Sequence, residues 1–207
     1  MSSITIIGTG NMARTIGTLA AAGGNTVEVM GRDQAKADDL ATALGDGATA
    51  GTWGAVPAGE IVITALLHDG VVPVVAAYGD ALAGKVIVDI SNPFNATFDG
   101  LAHNGETSIA QEVAKVAPAG ASVVKAFNTI FRAVLENGRP DVFIAGDDAE
   151  AKAGVEAFVE SLGLRPLDVG GLKMAHWLEG AGLITMGLAR NGVGHWDFAL
   201  GVNEFAA

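Results

Sequence analysis

The chain has no cysteine and few charged side chains. Without cysteine, disulfide bonds, thiolate nucleophiles and cysteine-ligated metals are excluded. Charged residues make up 17% of the 207 residues, and the formal net charge is −11. Since nucleic-acid binding requires a basic face, this acidic balance predicts that the chain has no nucleic-acid partner.

Long apolar runs are also missing. His68 and Asp69 interrupt the longest one, so no run reaches the ~20 residues that a membrane helix requires. No basic segment precedes the first apolar residues, which is atypical of a signal peptide. We therefore expect a cytoplasmic protein without a membrane partner.

Side chains that usually supply a catalytic proton are scarce. The single tyrosine, Tyr78, is followed four positions later by Leu82, so the Tyr-x-x-x-Lys pair of short-chain dehydrogenases is absent. Among the four histidines, His103 lies in a polar stretch typical of a surface loop. His68 lies in a predicted ligand loop, where it either donates a proton or faces water. No His, Asp or Glu cluster has metal-ligand spacing, and we expect no metal site.

Strand-like and helix-like segments alternate up to about residue 169. Half of the residues are hydrophobic, and 29 glycines allow helices and sheet to pack closely. This alternation predicts a Rossmann-like α/β fold with a doubly wound parallel sheet. The expected strands cover residues 4–7, 26–30, 48–52, 60–66, 85–89, 122–127, 141–145 and 164–168.

The first strand ends in a Gly-x-Gly-x-x-Ala turn that leads into a helix-like segment. Gly8 permits the tight turn, Gly10 lets a pyrophosphate approach the backbone, and Ala13 is small enough for the helix to pack on the strand. The helix N-terminus offers free N–H groups to phosphates. We predict that a dinucleotide pyrophosphate binds at Gly8, Thr9, Gly10, Asn11, Met12 and Ala13.

The end of the second strand indicates which dinucleotide binds. NAD-binding chains usually place an acidic residue there for the ribose hydroxyl, whereas this chain has Gly31 and Arg32, with Lys36 one helical turn later. A guanidinium suits a 2′-phosphate because it binds two oxygens at once. Asp33 is either the acidic ribose partner or the N-cap of the next helix, and we favour the cap. The pattern predicts NADP(H) as the cofactor.

Three further loops follow predicted strands and should converge with the glycine turn, because ligands bind beyond the carboxyl ends of parallel strands. Since the first two loops hold phosphate and adenosine, these three should face the nicotinamide and the second substrate. The residues expected there are Leu66, Leu67 and His68, then Asn92 and Pro93, then Asn128.

The scarcity of acid catalysts favours one class of reaction. Reduction of a simple carbonyl or imine usually requires a positioned proton donor, whereas hydride transfer between two flat redox cofactors depends chiefly on orientation. We therefore predict an NADP-dependent oxidoreductase that uses a flat redox cofactor and has no dedicated catalytic side chain. One alternative is a reductase of a small imine or carbonyl with His68 or His176 as the acid. Another is a sensor module that binds NADP(H) without turnover.

The chain resembles the NADPH-dependent reductases of coenzyme F-420, an 8-hydroxy-5-deazaflavin, over nearly its whole length. The resemblance rests on the segments 7–12, 31–36, 146–148 and 161–170. It implies homodimers and hydride exchange between NADPH and the deazaflavin. The chain departs from that pattern at Leu67 and His68. Its segment Phe127–Phe131 is similar to the oxidoreductase domain of six-transmembrane metalloreductases, which pass hydride from NADPH to a flavin.

The character of the sequence changes after residue 169. A helix is expected from Leu172 to Arg190, and it is apolar or small on most faces, so something must cover it. Glycines at 180, 182 and 187 suggest close approach by another backbone or a flat ligand. We predict an NADP-binding Rossmann domain at residues 1–169. The helical segment at 170–207 is expected to close the cleft, form a homodimer interface, or both.

Overall fold

Helices and strands alternate along the computed structural model, which describes residues 1–45, 47–102 and 107–205. The strands are β1 Ser3–Ile7, β2 Thr26–Met30, β3 Ala48–Ala50, β4 Ile61–Thr64, β5 Val86–Asp89, β6 Ser122–Lys125, β7 Asp141–Gly146 and β8 Arg165–Gly170. The helices are α1 Asn11–Ala22, α2 Gln34–Leu44, α3 His68–Tyr78, α4 Ile109–Val116, α5 Arg132–Asn137, α6 Ala149–Ser161 and α7 Ala175–Gly187.

The strands form one sheet in the order β3-β2-β1-β4-β5-β6-β7-β8. The order reverses between β1 and β4, which is the point where doubly wound sheets bind their ligands. The predicted Rossmann-like α/β class is therefore confirmed. The carboxyl ends of β1, β2, β4, β5 and β6 meet at one side of the sheet, which we call the ligand edge.

One strand pairing differs from the fully parallel sheet expected from the sequence. β6 and β7 pair antiparallel, while the other strand pairs of the described sheet are parallel. The connection between them contains only the six-residue helix α5, about 9 Å long. Since a parallel crossover must span the length of a strand, this connection instead returns at the ligand edge. β7 and β8 therefore end at the opposite edge.

Helices cover both faces of the sheet. Ile6 and Ile63 pack in one cluster with α1, α2, α5 and α6, whereas Val62 and Ile87 pack in another with α3, α4 and the start of α7. Val62 and Ile63 belong to different clusters because neighbouring residues of a strand point to opposite faces. Burial of the central strands on both faces explains their continuous apolar runs.

The C-terminal segment runs along one face of the sheet, from the edge opposite the ligand edge back to the ligand edge. It begins at the edge opposite the ligands, where the Leu172 N–H donates to Asp147 Oδ1 over 2.7 Å, and α7 then runs back toward the ligand edge. The single helix predicted over 172–190 is instead a short 3-10 turn, α7, and a wide turn over Leu188–Gly192. Glycine at 187 and 192 weakens the continuation of a regular helix there.

Candidate active site

The glycine turn between β1 and α1 has the geometry of a phosphate-binding turn. Gly8 has φ +133°, and a Cβ at this position would overlap the carbonyl oxygen of Ala65. Its N–H donates to the Met30 carbonyl oxygen over 2.8 Å, which joins the turn to β2. No side chain caps α1 at Gly10, and a Cβ at Gly10 would have no neighbour within 4 Å. The first N–H groups of α1 therefore face open space, as an anion site requires.

The end of β2 lies beside this turn. Gly31 packs against Thr9, since a Cβ on Gly31 would lie 2.7 Å from Thr9 Cγ2. Arg32 follows with an exposed side chain. These contacts bring the two parts of the predicted NADP site together at the ligand edge.

Asp33 is the N-cap of α2, which confirms the favoured interpretation of this residue. Its Oδ1 accepts from the Lys36 N–H at 3.3 Å, and its Oδ2 lies 3.3 Å from Lys36 Nζ. The hydrogen bond from the Lys36 N–H, aided by the Lys36 ammonium, lowers the pKa of the Asp33 carboxyl below its ordinary value. Lys36 thus pairs with Asp33, a contact that a 2′-phosphate would have to share or replace.

A cavity of about 580 Å³ opens over the glycine turn. It is bounded by the glycine turn, Arg32 after β2, the loop after β4, and α3. Of the predicted site residues it brings together Gly8, Thr9, Gly10, Arg32, Leu66 and Leu67, and Asp69, Gly70, Pro73 and Val74 of α3 add to its wall.

A second cavity of about 360 Å³ adjoins the first on the side of β5. The two cavities share Gly10, Ala65, Leu66 and Leu67, so they form one continuous trough. The remaining lining residues of the second cavity are Asn11, Met12, His68, Ile90, Ser91 and Asn92.

The loop after β4 forms the shared wall of this trough. Leu67 is 79% exposed although it is apolar, and it precedes the first residue of α3, His68. His68 therefore begins a helix rather than lying within a loop, but it still lines the second cavity. The other histidine considered as an acid, His176, has its Nδ1 3.3 Å from the Thr107 carbonyl oxygen and is absent from the lining of both cavities.

Two asparagines join the loops after β5 and β6. Asn92 Nδ2 donates to the Asn128 carbonyl oxygen at 2.6 Å, and Asn128 Nδ2 donates to Asn92 Oδ1 at 2.9 Å. Phe127, the residue before Asn128, is fully buried and has φ +61°, a strained conformation for a non-glycine residue. Strain of this kind is held in place by surrounding structure and is frequent at ligand sites.

Some predicted residues do not line the trough. Asn128 is linked to it through Asn92, and Ala13 is buried in the core beneath the glycine turn. Pro93, Gly31 and Lys36 flank the trough without contributing to its walls. His103, expected at the surface, lies outside the described residues.

A buried ionic cluster behind the trough was not predicted from the sequence. Lys125 Nζ lies 2.8 Å from Asp89 Oδ2 and 2.8 Å from Glu179 Oε1, and all three side chains are fully buried. The sequence did contain a signal for this cluster, because the charged residues Lys125 and Asp89 interrupt apolar strand segments. A charge inside a buried strand requires a partner.

The described residues contain no group of three or more His, Asp or Glu side chains that could hold a metal ion. Among the helices within these residues, none is long and apolar enough to cross a membrane.

The chain is similar to known proteins in both sequence and structure. The chain is 33% identical to metalloreductase STEAP3 of Rattus norvegicus over 178 residues, or 84% of this chain, and spans about a third (35%) of that protein. A solved structure from Arthrobacter sp. FB24, named as a candidate F420-dependent NADP reductase, has a TM-score of 0.83 and 26% identity. That match covers 99% of this chain and 100% of the other.

An imine reductase of Streptomyces aurantiacus shares the fold, with a TM-score of 0.65 and 20% identity over 91% of this chain and 62% of the other. A family model described as "NADP oxidoreductase coenzyme F420-dependent" matches residues 3–93, which include the glycine turn, Arg32 and Asn92. Binding of NADP(H) fits this family. The chain is therefore similar to the NADP oxidoreductases of this family, over residues 3–93 in sequence and over nearly its whole length in fold.

Proposed function

We propose that the chain transfers a hydride between NADP(H) and a flat redox cofactor, either a deazaflavin such as coenzyme F420 or a flavin. The observation that carries the proposal is the trough of two adjoining cavities that run from Arg32 past the glycine turn to Asn92. The first cavity would hold the phosphates and adenosine of the dinucleotide, and the second would hold the nicotinamide and the edge of a second ring system.

The chain's own residues fit the dinucleotide. The N–H groups at the start of α1 would bind the pyrophosphate, since no side chain caps this helix end. Arg32 lines the cavity on the adenosine side, where its planar fork would bind the 2′-phosphate. Lys36 would add charge there after sharing its ion pair with Asp33. NADPH, when bound, supplies the hydride from its nicotinamide ring.

The second cavity supports a flat acceptor. It is lined by apolar residues and Gly10, together with four polar residues, Asn11, His68, Ser91 and Asn92. Such walls orient a ring and exclude water, and orientation is the chief requirement of hydride transfer between two rings. The family model and the Arthrobacter structure are both described as F420-dependent.

The test is NADPH oxidation against a panel of F420, FMN, FAD, a ferric chelate and cyclic imines, followed by absorbance at the nicotinamide band. We expect turnover with a deazaflavin or flavin. Tight NADPH binding without oxidation by any member of the panel would contradict hydride transfer.

A second candidate is reduction of a small imine, because His68 lines the second cavity and could donate the proton. This candidate predicts turnover with cyclic imines in the same panel. It also predicts that kcat with cyclic imines falls by about a hundredfold in His68→Asn, because a general acid usually contributes at least that much to the rate.

We further propose a homodimer formed through α7, with residues 1–169 as the nucleotide-binding domain and 170–207 as the helical segment. Trp177 and Ile184 are 65% and 59% exposed and lie on one face of α7. A Cβ on Gly180 or Gly187 would meet nothing within 4 Å, which leaves room for a second backbone.

The dimer can be tested with one substitution on this face of α7 and a matched control substitution outside α7. Ile184→Glu should yield monomers in light scattering at micromolar concentration. Val56→Glu, at a position that is also exposed, should leave the dimer intact. A monomeric wild-type chain would contradict the proposal.

A further inference from the structure

The buried cluster around Lys125 joins the parts of the chain that surround the second cavity. Lys125 Nζ donates to Asp89 Oδ2, to Glu179 Oε1 and, over 2.6 Å, to the Ser91 carbonyl oxygen. These three contacts use all three N–H donors of the ammonium. They connect the ends of β5 and β6, the loop after β5, and α7.

The charges of the cluster are balanced by a helix end. Two carboxylates, Asp89 and Glu179, face the single ammonium of Lys125. Glu179 Oε1 also accepts from the N–H of Ile109 at 2.9 Å. Ile109 is the first residue of α4, where the helix dipole is positive and favours a nearby anion.

Stability alone does not account for such a cluster. Desolvation of buried ions largely offsets their attraction, and apolar replacements of similar volume are often neutral or stabilising. The cluster does, however, fix the position of the loop that lines the second cavity. The Ser91 N–H donates to Asp89 Oδ1 at 3.0 Å while its carbonyl oxygen binds Lys125. Ser91 is therefore held on both sides of its backbone.

Helix α7 holds the next residue of this loop. Asn128, which bonds Asn92 in both directions, also donates to the Leu178 carbonyl oxygen over 2.8 Å. A Cβ on Gly182 would lie 2.8 Å from Asn92 Oδ1. Asn92 is thus enclosed between Asn128 and the bare backbone of α7, and it cannot move away without losing its hydrogen bonds.

We infer that Lys125, Asp89, Glu179 and Gly182 are positioning residues for hydride transfer. The described cavity walls include none of the four, so they act through Ser91 and Asn92, which orient the nicotinamide side of the trough. This inference rests on the proposed function, because it assumes that NADPH lies in the trough with its nicotinamide beyond the glycine turn.

The first test compares two glycine substitutions in binding experiments that need no acceptor. Gly182→Ala should displace the Asn92 side chain from the nicotinamide side of the trough. NADPH should then lose the equivalent of about one hydrogen bond and bind about fivefold more weakly. Binding of 2′-phospho-ADP-ribose, which lacks the nicotinamide, should be unchanged. Gly154→Ala, an equal exchange in α6 with no neighbour within 4 Å of the new Cβ, should leave both affinities unchanged.

The outcomes separate the inference from the proposed function. A wild-type chain that binds neither ligand would overturn the proposed function. If the wild type binds both, the inference is overturned when Gly182→Ala binds NADPH as the wild type does, or when it loses both ligands equally.

A second variant tests the ionic cluster itself. Glu179→Gln keeps the shape of the side chain and removes its charge. With an acceptor that oxidises NADPH, we expect kcat to fall by roughly tenfold through misplacement of the rings. The KM for NADPH should rise by no more than about fivefold, because the contacts to the 2′-phosphate remain. The isotope effect from NADPH deuterated at the transferred position should rise. An unchanged kcat and isotope effect in a folded Glu179→Gln protein would also overturn the inference.

Discussion

Replacement of Arg32 provides the sharpest test of the cofactor assignment. Arg32 is exposed just after β2 and lines the larger cavity, whereas the glycine turn that we propose for the pyrophosphate is formed by backbone that does not depend on it. In Arg32→Ala the contacts to the 2′-phosphate should be lost while those to the rest of the dinucleotide remain. NADPH affinity should therefore fall much more than NADH affinity.

The size of this loss follows from the contacts available. A guanidinium can form two parallel charge-assisted hydrogen bonds to a phosphate. Because Arg32 is exposed, solvent and salt screen these bonds, and we expect about 2–3 kcal/mol in total. That loss corresponds to a dissociation constant roughly 30–150 times higher for NADPH. Isothermal titration with NADPH and NADH in the same buffer measures both values.

Two control variants accompany this measurement. Lys36→Ala should lower the affinity for NADPH by less than about tenfold, because an exposed charge that already pairs with Asp33 adds little to binding. Arg139→Ala removes an equal charge from an exposed position beside Gly138 and should change neither affinity. Equal losses of NADPH and NADH in Arg32→Ala would refute the reasoning, as would a larger loss in Lys36→Ala.

Three further outcomes are expected. Gly8→Ala should lower the melting temperature by about 5 °C or more, and it should weaken NADPH and NADH alike, because its Cβ would overlap the Ala65 carbonyl oxygen at a positive φ. Asp141→Asn removes the ion pair with Arg165, which holds the pKa of the Asp141 carboxyl below its ordinary value. The pair therefore stabilises the folded wild type above about pH 4. This stabilisation disappears as the pH falls through the native pKa of Asp141. Thermal melts of wild type and variant should therefore converge in acid, and a constant difference down to pH 3 would contradict this. If the acceptor is a flavin or deazaflavin, His68→Asn should retain turnover within about tenfold of the wild type, and a loss of about a hundredfold would instead support an acid role.

Much of the fold could be predicted because the signals were local. Strand runs, the glycine turn and the Asp33 cap depend on residues close together in the chain, and β2 and α2 begin and end where expected. The reversal of β7 could not be predicted in this way. Its direction depends on how far α5 reaches along the sheet, and the strand sequence itself is compatible with either direction.

The site was predictable to the extent that it rests on backbone and strand ends. Arg32 and the glycines lie at the ligand edge because parallel strands end there. The cluster of Lys125, Asp89 and Glu179 was missed because it joins residues 36 to 90 positions apart, and a charge in an apolar run does not identify its partner. The sequence predicts that Lys36 is available to a 2′-phosphate, whereas in the structure it pairs with Asp33, a natural partner three positions earlier at the start of a helix.

The two outer strands have a consequence for how concentrated samples behave. β3 pairs through only three residues, and β8 carries Pro166, which has no N–H to donate, between Arg165 and further charge at Asp168. Short strands, proline and charge prevent a foreign strand from adding to a sheet. Both edge strands are thus protected against aggregation and strand exchange. We expect chains to associate through helix surfaces rather than by extending the sheet.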